Sequence, residues 1–252
     1  MAMGFDMNAV EAVMLAGVRI VAFLFIAPPF SYSTIPARVK AMLSIGLALA
    51  VAPAVTQGYT AQTTGAFLVD LILQVVAGAA LGFLVWLVFA AVQSAGAAID
   101  LFGGFQIAAG YDPGMQINGA QFTRLFQMTA LVLMFTSGGY QLVLGGITRT
   151  FDVLPVTGAL DLAHPAALMV TATTQMFLAT LQIAGPLIVI LFLTDAGLGL
   201  LTRVAPALNA FQMGYPLKIM ITLGLGGMVF VALPQVVSHL GDQAFQAMGG
   251  VI

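Results

Sequence analysis

The chain has 252 residues, of which 61% are hydrophobic and 6% are charged, with a formal net charge of -2. Soluble globular proteins carry about a quarter charged residues, so this composition predicts an integral membrane protein or a subunit of a membrane assembly. The near-neutral charge argues against nucleic-acid binding, and the absence of cysteine excludes disulfides and thiolate metal sites. Asp6 and Glu11 predict that the first apolar segment is retained rather than cleaved as a signal peptide.

Six apolar segments are candidates to cross a membrane, for which a helix needs about 20 residues. Period-two alternation is missing, which favours helices over a β-barrel. We therefore predict an all-α protein with about six long apolar helices. The segments run over Ala12 to Pro29, Ala41 to Val55, Leu71 to Ala98, Leu125 to Ile147, Ala166 to Leu193 and Ile219 to Val237.

The segments are too unequal in length for a simple bundle of spans. At about 1.5 Å per residue, the longest exceed the roughly 30 Å of hydrocarbon and the second falls short of it. Prolines should end the first segment at Pro28 and Pro29, end the second at Pro53 and split the fifth at Pro186. Several helices are therefore expected to be kinked or broken.

The basic residues are unevenly shared among the connecting loops. The positive-inside rule places both termini outside and the loops 31–40, 99–124 and 194–218 in the cytoplasm. We interpret the charged side chains as structural, assembly or lipid-headgroup contacts. These residues are Arg19, Arg38, Lys40, Asp100, Arg124, Asp195, Arg203 and Lys218.

Small and polar side chains form stripes along several segments. Small faces let helix backbones approach closely, and glutamines seldom face lipid. For any single stripe, packing within this chain is favoured over a water-lined conduit. Several stripes together indicate more helix neighbours than six segments supply, and therefore an oligomeric complex. The stripes are Gly78 and Gly82; Ala90, Ser94 and Ala98; Gln127, Met134 and Gln141; and Thr171, Gln175, Leu178 and Gln182.

Catalytic groups are scarce. Ser137 and His239 are the best pair for an intramembrane hydrolase, but Phe135 replaces the motif glycine and the predicted topology separates the two side chains. His164 and His239 each lack a second imidazole at helical spacing, so a metal site has little support. We predict no enzyme activity and no cofactor.

Arg19 lies inside the first segment, where an unpaired charge would cost about 2.5 to 3.5 kcal/mol. We expect it to pair with a carboxylate in this chain or in a neighbouring subunit. A proton-coupled secondary transporter, with Arg19 and Asp100 or Asp195 as a relay, is an alternative. The absence of carboxylates inside the predicted segments weakens it.

Four stretches, in order along nearly the whole chain, carry a family resemblance. They are RIVAFLFIAPPFSYSTIPARVKAMLSIGLALAVAP, GAAIDLFGGFQIAAGYDP, SGGYQLVLGGITRTFDVLP and DAGLGLLTRVAPALNAFQMGYPLKI. Together they resemble the flagellar type III export-gate family FliR, whose virulence-secretion relatives form the SpaR/SctT family. That family often carries histidine where Tyr140 stands. The third stretch looks more like the flagellar branch, and a virulence-type gate is the alternative.

The resemblance implies a single export-gate domain over 1–252, with helices packed as hairpins in a hetero-oligomeric pore complex. It implies FliP and FliQ as fellow subunits and FlhB as an associated protein. It also implies a place in the bacterial inner membrane at the flagellar basal body, where unfolded proteins are exported.

The glycine-rich loop at 101–121 joins the third and fourth segments. The resemblance implies that it projects into the pore and helps to close it, whereas an ordinary surface loop is the plainer interpretation. Glycines give the backbone freedom, apolar side chains can form a dewetted constriction, and an Asp-Pro pair would fix a turn at the tip. The predicted plug residues are Gly103, Gly104, Phe105, Ile107, Gly110, Tyr111, Asp112, Pro113, Met115 and Ile117.

Overall fold

The computed structural model describes residues 7–106, 121–157, 163–205 and 210–250. Within these ranges the chain is helical and has no strand, which confirms the all-α prediction. The helices are α1 (Met7–Ile26), α2 (Ala37–Val55), α3 (Thr64–Gly103), α4 (Gln121–Thr136), α5 (Gly139–Val153), α6 (Ala163–Val204) and α7 (Ala210–Gly250).

Five of the described helices, α1, α2, α3, α6 and α7, are long and apolar enough to cross a membrane, and α4 with α5 gives a sixth candidate. This agrees with the six predicted segments. The helices α3, α6 and α7 contain 40, 42 and 41 residues. At 1.5 Å per residue each is about 60 Å long, roughly twice the hydrocarbon thickness. The mismatch in length is therefore larger than the sequence indicates.

The prolines end fewer helices than predicted. Pro28 and Pro29 follow α1 as expected, but α2 continues through Pro53 and α6 continues through Pro186. The predicted split at Pro186 is wrong, because proline removes a single backbone donor and long apolar helices tolerate that loss. The break lies in the predicted fourth segment, where Gly138 has a φ of 75° and separates α4 from α5. Glycine adopts this left-handed backbone without a steric penalty.

The first of two compact units comprises Met1–Leu87, Gly138–Thr173 and Gly241–Ile252. Its core contains the inner face of α1, which packs closely on α3. A Cβ at Gly78 would clash with the backbone carbonyl oxygen of Arg19, and one at Gly82 would lie 2.9 Å from that of Phe23. The predicted small-residue step is therefore confirmed as a helix-packing face.

The second unit comprises Val88–Ser137 and Thr174–Leu240, and buries apolar side chains of α3, α4, α6 and α7. The predicted stripe on the fourth segment is only partly covered, since Met134 is buried and Gln141 is exposed. The stripe on α6 is exposed along its whole length, so packing of this stripe within the chain is wrong for the described structure. Its members are Thr171, Gln175, Leu178 and Gln182.

Candidate functional site at the base of the glycine-rich loop

The predicted plug residues fall into two groups. The structure describes Gly103, Gly104 and Phe105, which lie at the start of the loop. The others lie outside the described residues; they are Ile107, Gly110, Tyr111, Asp112, Pro113, Met115 and Ile117. The base of the loop, where α3 ends and α4 begins, belongs to the second unit.

Asp100 lies in the last turn of α3 and is fully buried. One carboxylate oxygen accepts a hydrogen bond from the backbone N–H of Phe122 at 2.9 Å. The other accepts from the backbone N–H of Thr123 at 2.8 Å and from its hydroxyl at 2.7 Å. The first N–H groups of a helix have no acceptor within that helix. Asp100 therefore caps α4 from a different helix.

Gly96 allows this close approach, one turn before Asp100 on the same face of α3. A Cβ at Gly96 would lie 2.7 Å from the carbonyl oxygen of Phe122 and 2.8 Å from the Cα of Thr123. A side chain there would push the start of α4 away from Asp100. Gly96 does not stand out in the sequence, because the predicted stripe of Ala90, Ser94 and Ala98 lies on a different face of the helix.

The helix α7 packs against the start of the loop. A Cβ at Gly103 would lie 2.8 Å from the hydroxyl oxygen of Thr222. Gly104 has a φ of 82°, and a Cβ there would lie 3.0 Å from the ring of Tyr215. Both glycines are therefore required by the local geometry, Gly103 by space and Gly104 also by its backbone conformation.

An aromatic row connects the two ends of the loop. The ring of Phe105 packs edge-on against that of Phe122 with 5.4 Å between centroids, and Phe122 packs similarly against Phe126 at 6.1 Å. On α7, a Cβ at Gly226 would lie 2.8 Å from the Phe122 ring, so a glycine is needed to admit it. Edge-to-face pairs add stability beyond their buried area.

Arg19, in the first unit, is also fully buried. Its Nε donates to the side-chain oxygen of Gln74 at 2.6 Å, and its Nη2 donates to the carbonyl oxygens of Leu154 at 2.9 Å and Pro155 at 3.2 Å. The guanidinium carbon lies 4.3 Å from the centroid of the Phe151 ring. Arg19 therefore binds the carboxyl end of α5, where helix carbonyls lack internal partners and carry partial negative charge.

The expectation that Arg19 pairs with a carboxylate is wrong for the described chain. Its partners there are the side chain of Gln74 and backbone carbonyl oxygens. The planar guanidinium carries five N–H donors, and the Gln74 oxygen and the backbone carbonyls accept from it without a carboxylate. Gln74 extends the network, since its amide nitrogen donates to the carbonyl oxygen of Val156 at 3.0 Å. Sequence reasoning misses Gln74, although a lone amide inside an apolar segment is the signal that would find it.

Comparison with known proteins decides the family. The sequence model of the family described as bacterial export proteins, family 1, matches residues 10–244. The chain belongs to this family. Flagellar biosynthetic protein FliR of Escherichia coli K12 is 30% identical over 234 residues, which cover 93% of this chain and 90% of that protein. FliR of Bacillus subtilis 168 is 28% identical over 218 residues, 84% of this chain and 83% of that protein.

A further relative of this export protein is Yop proteins translocation protein T of Yersinia pestis. It is 26% identical over 147 residues, which cover 58% of this chain and 56% of that protein. The resemblance to the FliR and SpaR/SctT family is confirmed, and with it the assignment to the type III export gate. The chain is thus a component of a membrane-embedded secretion complex.

The other charged residues of the export protein have separate surroundings. Lys218 pairs with Asp195 at 2.6 Å between α7 and α6. Lys40 is buried, with its ammonium 5.1 Å from the centroid of the Phe25 ring. The remaining predicted assembly residues are exposed in the described chain: Arg38, Arg124 and Arg203.

The residues that a proton-coupled transporter would use as a relay make other contacts in the structure. The predicted segments contain no carboxylate, but the helices α3 and α6 extend beyond those segments and include Asp100 and Asp195. Their oxygens are engaged, however, by the start of α4 and by Lys218, whereas Arg19 binds carbonyls. Both Ser137 and His239 are exposed, and no hydrogen bond joins them. Within the described ranges, no cluster of three acidic or imidazole side chains could hold a metal ion.

Proposed function

We propose that this chain is a subunit of the flagellar type III export gate, through which unfolded flagellar proteins cross the bacterial inner membrane at the basal body. The similarity to FliR over nearly the whole chain carries the proposal. The family match over residues 10–244 runs through both compact units, which supports the proposal that 1–252 acts as a single export-gate domain. A virulence-type gate is the second candidate, favoured by the match to Yop proteins translocation protein T.

The proposed partners are FliP, FliQ and FlhB. Two features of the structure support the proposal that other subunits surround these helices. The exposed amides of Gln175 and Gln182 lie within a candidate span, where hydrocarbon cannot hydrogen-bond to them. The helices α3, α6 and α7 also extend well beyond the hydrocarbon thickness, and α6 carries exposed apolar side chains up to its end, at Leu200, Leu201 and Val204. The role is structural, with energy supplied by another component.

Co-purification tests this membership. Solubilised gently from the native membrane, the chain should be recovered with FliP and FliQ in a fixed ratio. A matched variant with Gln175→Leu and Gln182→Leu should lose much of that recovery, because the amides would no longer find partners. A chain that is monodisperse and stable alone, and that takes up protons with a substrate, would support the transporter instead.

We further propose that residues 101–121 form a plug that closes the channel between export events. The described base supports this role, because the loop starts and returns beside the same fixed points at Asp100 and α7. The loop sequence between these points combines glycines with apolar side chains, as a deformable and dewetted constriction requires.

Deleting Gly110 to Gly114 is expected to increase the leakage of ions or small molecules through the assembled channel, because the constriction loses its central residues. Ion flux across membranes containing the complete complex would measure it. The Gly145→Ala variant is a suitable control, since a Cβ at Gly145 meets no atom within 4 Å. Unchanged permeability after the deletion would remove the plug and leave the export assignment standing.

A further inference from the structure

The ammonium of Lys40, near the start of α2, has no anionic partner in the described chain. The side chain is 5% exposed, and within the described residues its nitrogen makes no hydrogen bond or ion pair. It lies 5.1 Å from the centroid of the Phe25 ring, a contact that offsets only part of the cost of withdrawing an ammonium from water. The sequence from Ala12 to Val69 contains neither Asp nor Glu. The buried lysine therefore lacks a counter-charge within this part of the chain.

The tip of this side chain is open to an incoming group. In the described chain, no fully buried side-chain nitrogen or oxygen lacks a hydrogen-bond partner. Because the Nζ of Lys40 has no such partner, the atom must keep some accessible surface while its aliphatic stem is buried. Lysines near helix ends place the charged tip at a membrane surface in this way. A ligand can thus reach the nitrogen without separating α1 from α2.

The first turn of α2 adds hydrogen-bond donors beside the lysine. Pro36 stands at the N-cap, and no side chain caps this helix. The Pro36 carbonyl accepts from the backbone N–H groups of Val39 and Lys40. Those of Ala37 and Arg38 have no acceptor in the described chain. Helical side chains lean towards the N-terminus, so Lys40 leans towards this turn, where free N–H groups and partial positive charge favour an anion.

An apolar face of α1 ends at the same place. Met14, Val18, Val21 and Phe25 follow one another at helical spacing and share one face. Met14 and Phe25 are about half exposed, and the two valines between them are partly exposed. At 1.5 Å per residue the face is about 16 Å long, close to half of the roughly 30 Å of hydrocarbon. The ammonium of Lys40, over the Phe25 ring, therefore lies at the end of a face as long as one lipid leaflet.

We propose that Lys40 and the first turn of α2 bind the phosphate of an anionic membrane lipid, whose acyl chains lie along the α1 face. A free phosphate ion would meet the same donors but would gain nothing from that face. The turn between α1 and α2 is on the side that the positive-inside rule predicts to be cytoplasmic, where anionic lipid headgroups give the membrane surface a negative potential. The bound lipid fixes the depth of the α1–α2 hairpin in the membrane, whatever protein is exported.

Native mass spectrometry of the complete complex in detergent, titrated with phosphatidylglycerol, tests the proposal. The wild type should bind one such lipid tightly per copy of this chain. Lys40→Met keeps an unbranched apolar side chain and removes the charge. It should weaken binding at least fivefold, the factor that corresponds to the roughly 1 kcal/mol contributed by a basic side chain near anionic lipid. Lys40→Arg should keep most of the binding, and unchanged binding in Lys40→Met would overturn the proposal.

Arg38→Gln is the matched control. It removes the same charge from the same turn and keeps the backbone N–H, but Arg38 is exposed and lies on a different face of α2 from Lys40. Its affinity for phosphatidylglycerol should stay close to that of the wild type. An equal loss in Arg38→Gln and Lys40→Met would show general attraction to a basic surface, and displacement of the lipid by an equal concentration of inorganic phosphate would show a site for the free ion. Either result would overturn the proposal.

The midpoint of thermal unfolding separates lipid binding from a merely structural role of the lysine. In phosphatidylcholine nanodiscs, Lys40→Met and the wild type should unfold at the same midpoint, and added phosphatidylglycerol should raise only that of the wild type. A lower midpoint for Lys40→Met with the same response to phosphatidylglycerol would overturn the proposal. Loss of FliP and FliQ from Lys40→Met without phosphatidylglycerol would identify an acidic group of a neighbouring subunit as the partner instead. Equal midpoints of the wild type in the two lipids would also overturn it, even if Lys40→Met does not assemble.

Discussion

Replacing Arg19 with alanine is expected to destabilise the first unit by roughly 3 to 5 kcal/mol. The guanidinium is the hydrogen-bond partner of Gln74 and of carbonyl oxygens at Leu154 and Pro155. Its removal would leave the buried side-chain oxygen of Gln74 without this donor, at a cost of about 1 to 3 kcal/mol. It would also remove the bonds to the part-buried carbonyl oxygens of Leu154 and Pro155 and open a cavity beside Phe151. The carboxyl end of α5 would then lose its main attachment to α1.

The midpoint of thermal unfolding in detergent, compared between variants, measures this effect. Arg19→Lys should fall between the wild type and alanine, because one ammonium cannot reach Gln74 and two carbonyls together. Arg38→Ala serves as the control, since Arg38 is exposed on α2. Equal midpoints for Arg19→Ala and Arg38→Ala would contradict a structural role for the buried guanidinium.

Local properties of the sequence predict much of this fold. Apolar runs predict the candidate spans because each must cover about 20 residues whatever its neighbours are. The GxxxG step at Gly78 and Gly82 predicts a close helix contact because the spacing puts both on one face. Helix ends are less predictable, since α3 and α6 continue well beyond the apolar windows that identify them.

Features that depend on distant parts of the chain are not predictable in this way. Asp100 and Arg19 are visible as charges beside or within apolar segments, but their partners are backbone groups of helices that follow much later. Backbone carbonyls and N–H groups are present at every residue, so the sequence does not distinguish those left free at a helix end. The break at Gly138 shows the same limitation, because the glycines within α7 do not interrupt that helix.

The exposed stripe on α6 shows a different limitation. Its spacing indicates correctly that Gln175 and Gln182 share a face, but spacing carries no information on whether that face meets this chain or another one. Within the described structure the face is uncovered. The prediction of an oligomer thus gains support from the failure of the simpler expectation that the stripe packs within the chain.

Replacing Gly78 with alanine is expected to destabilise the first unit by several kcal/mol, against the usual trend for helices. In an exposed helix interior, alanine is favoured over glycine by about 1 kcal/mol. At Gly78 the added Cβ would clash with the carbonyl oxygen of Arg19 and would lie 3.0 Å from the Cβ of Ala22. Backbone atoms cannot move aside singly, so α1 and α3 must separate along their contact.

Gly145→Ala provides the matched comparison, because Gly145 is also helical, belongs to the same unit and has open space around it. It should leave the unfolding midpoint unchanged or raise it slightly, whereas Gly78→Ala should lower both the midpoint and the yield of folded protein. Gly82→Ala should lie between them, since its closest contact is 2.9 Å. If Gly78→Ala behaved like Gly145→Ala, α1 and α3 would not be in backbone contact, and the buried position of Arg19 would need another cause.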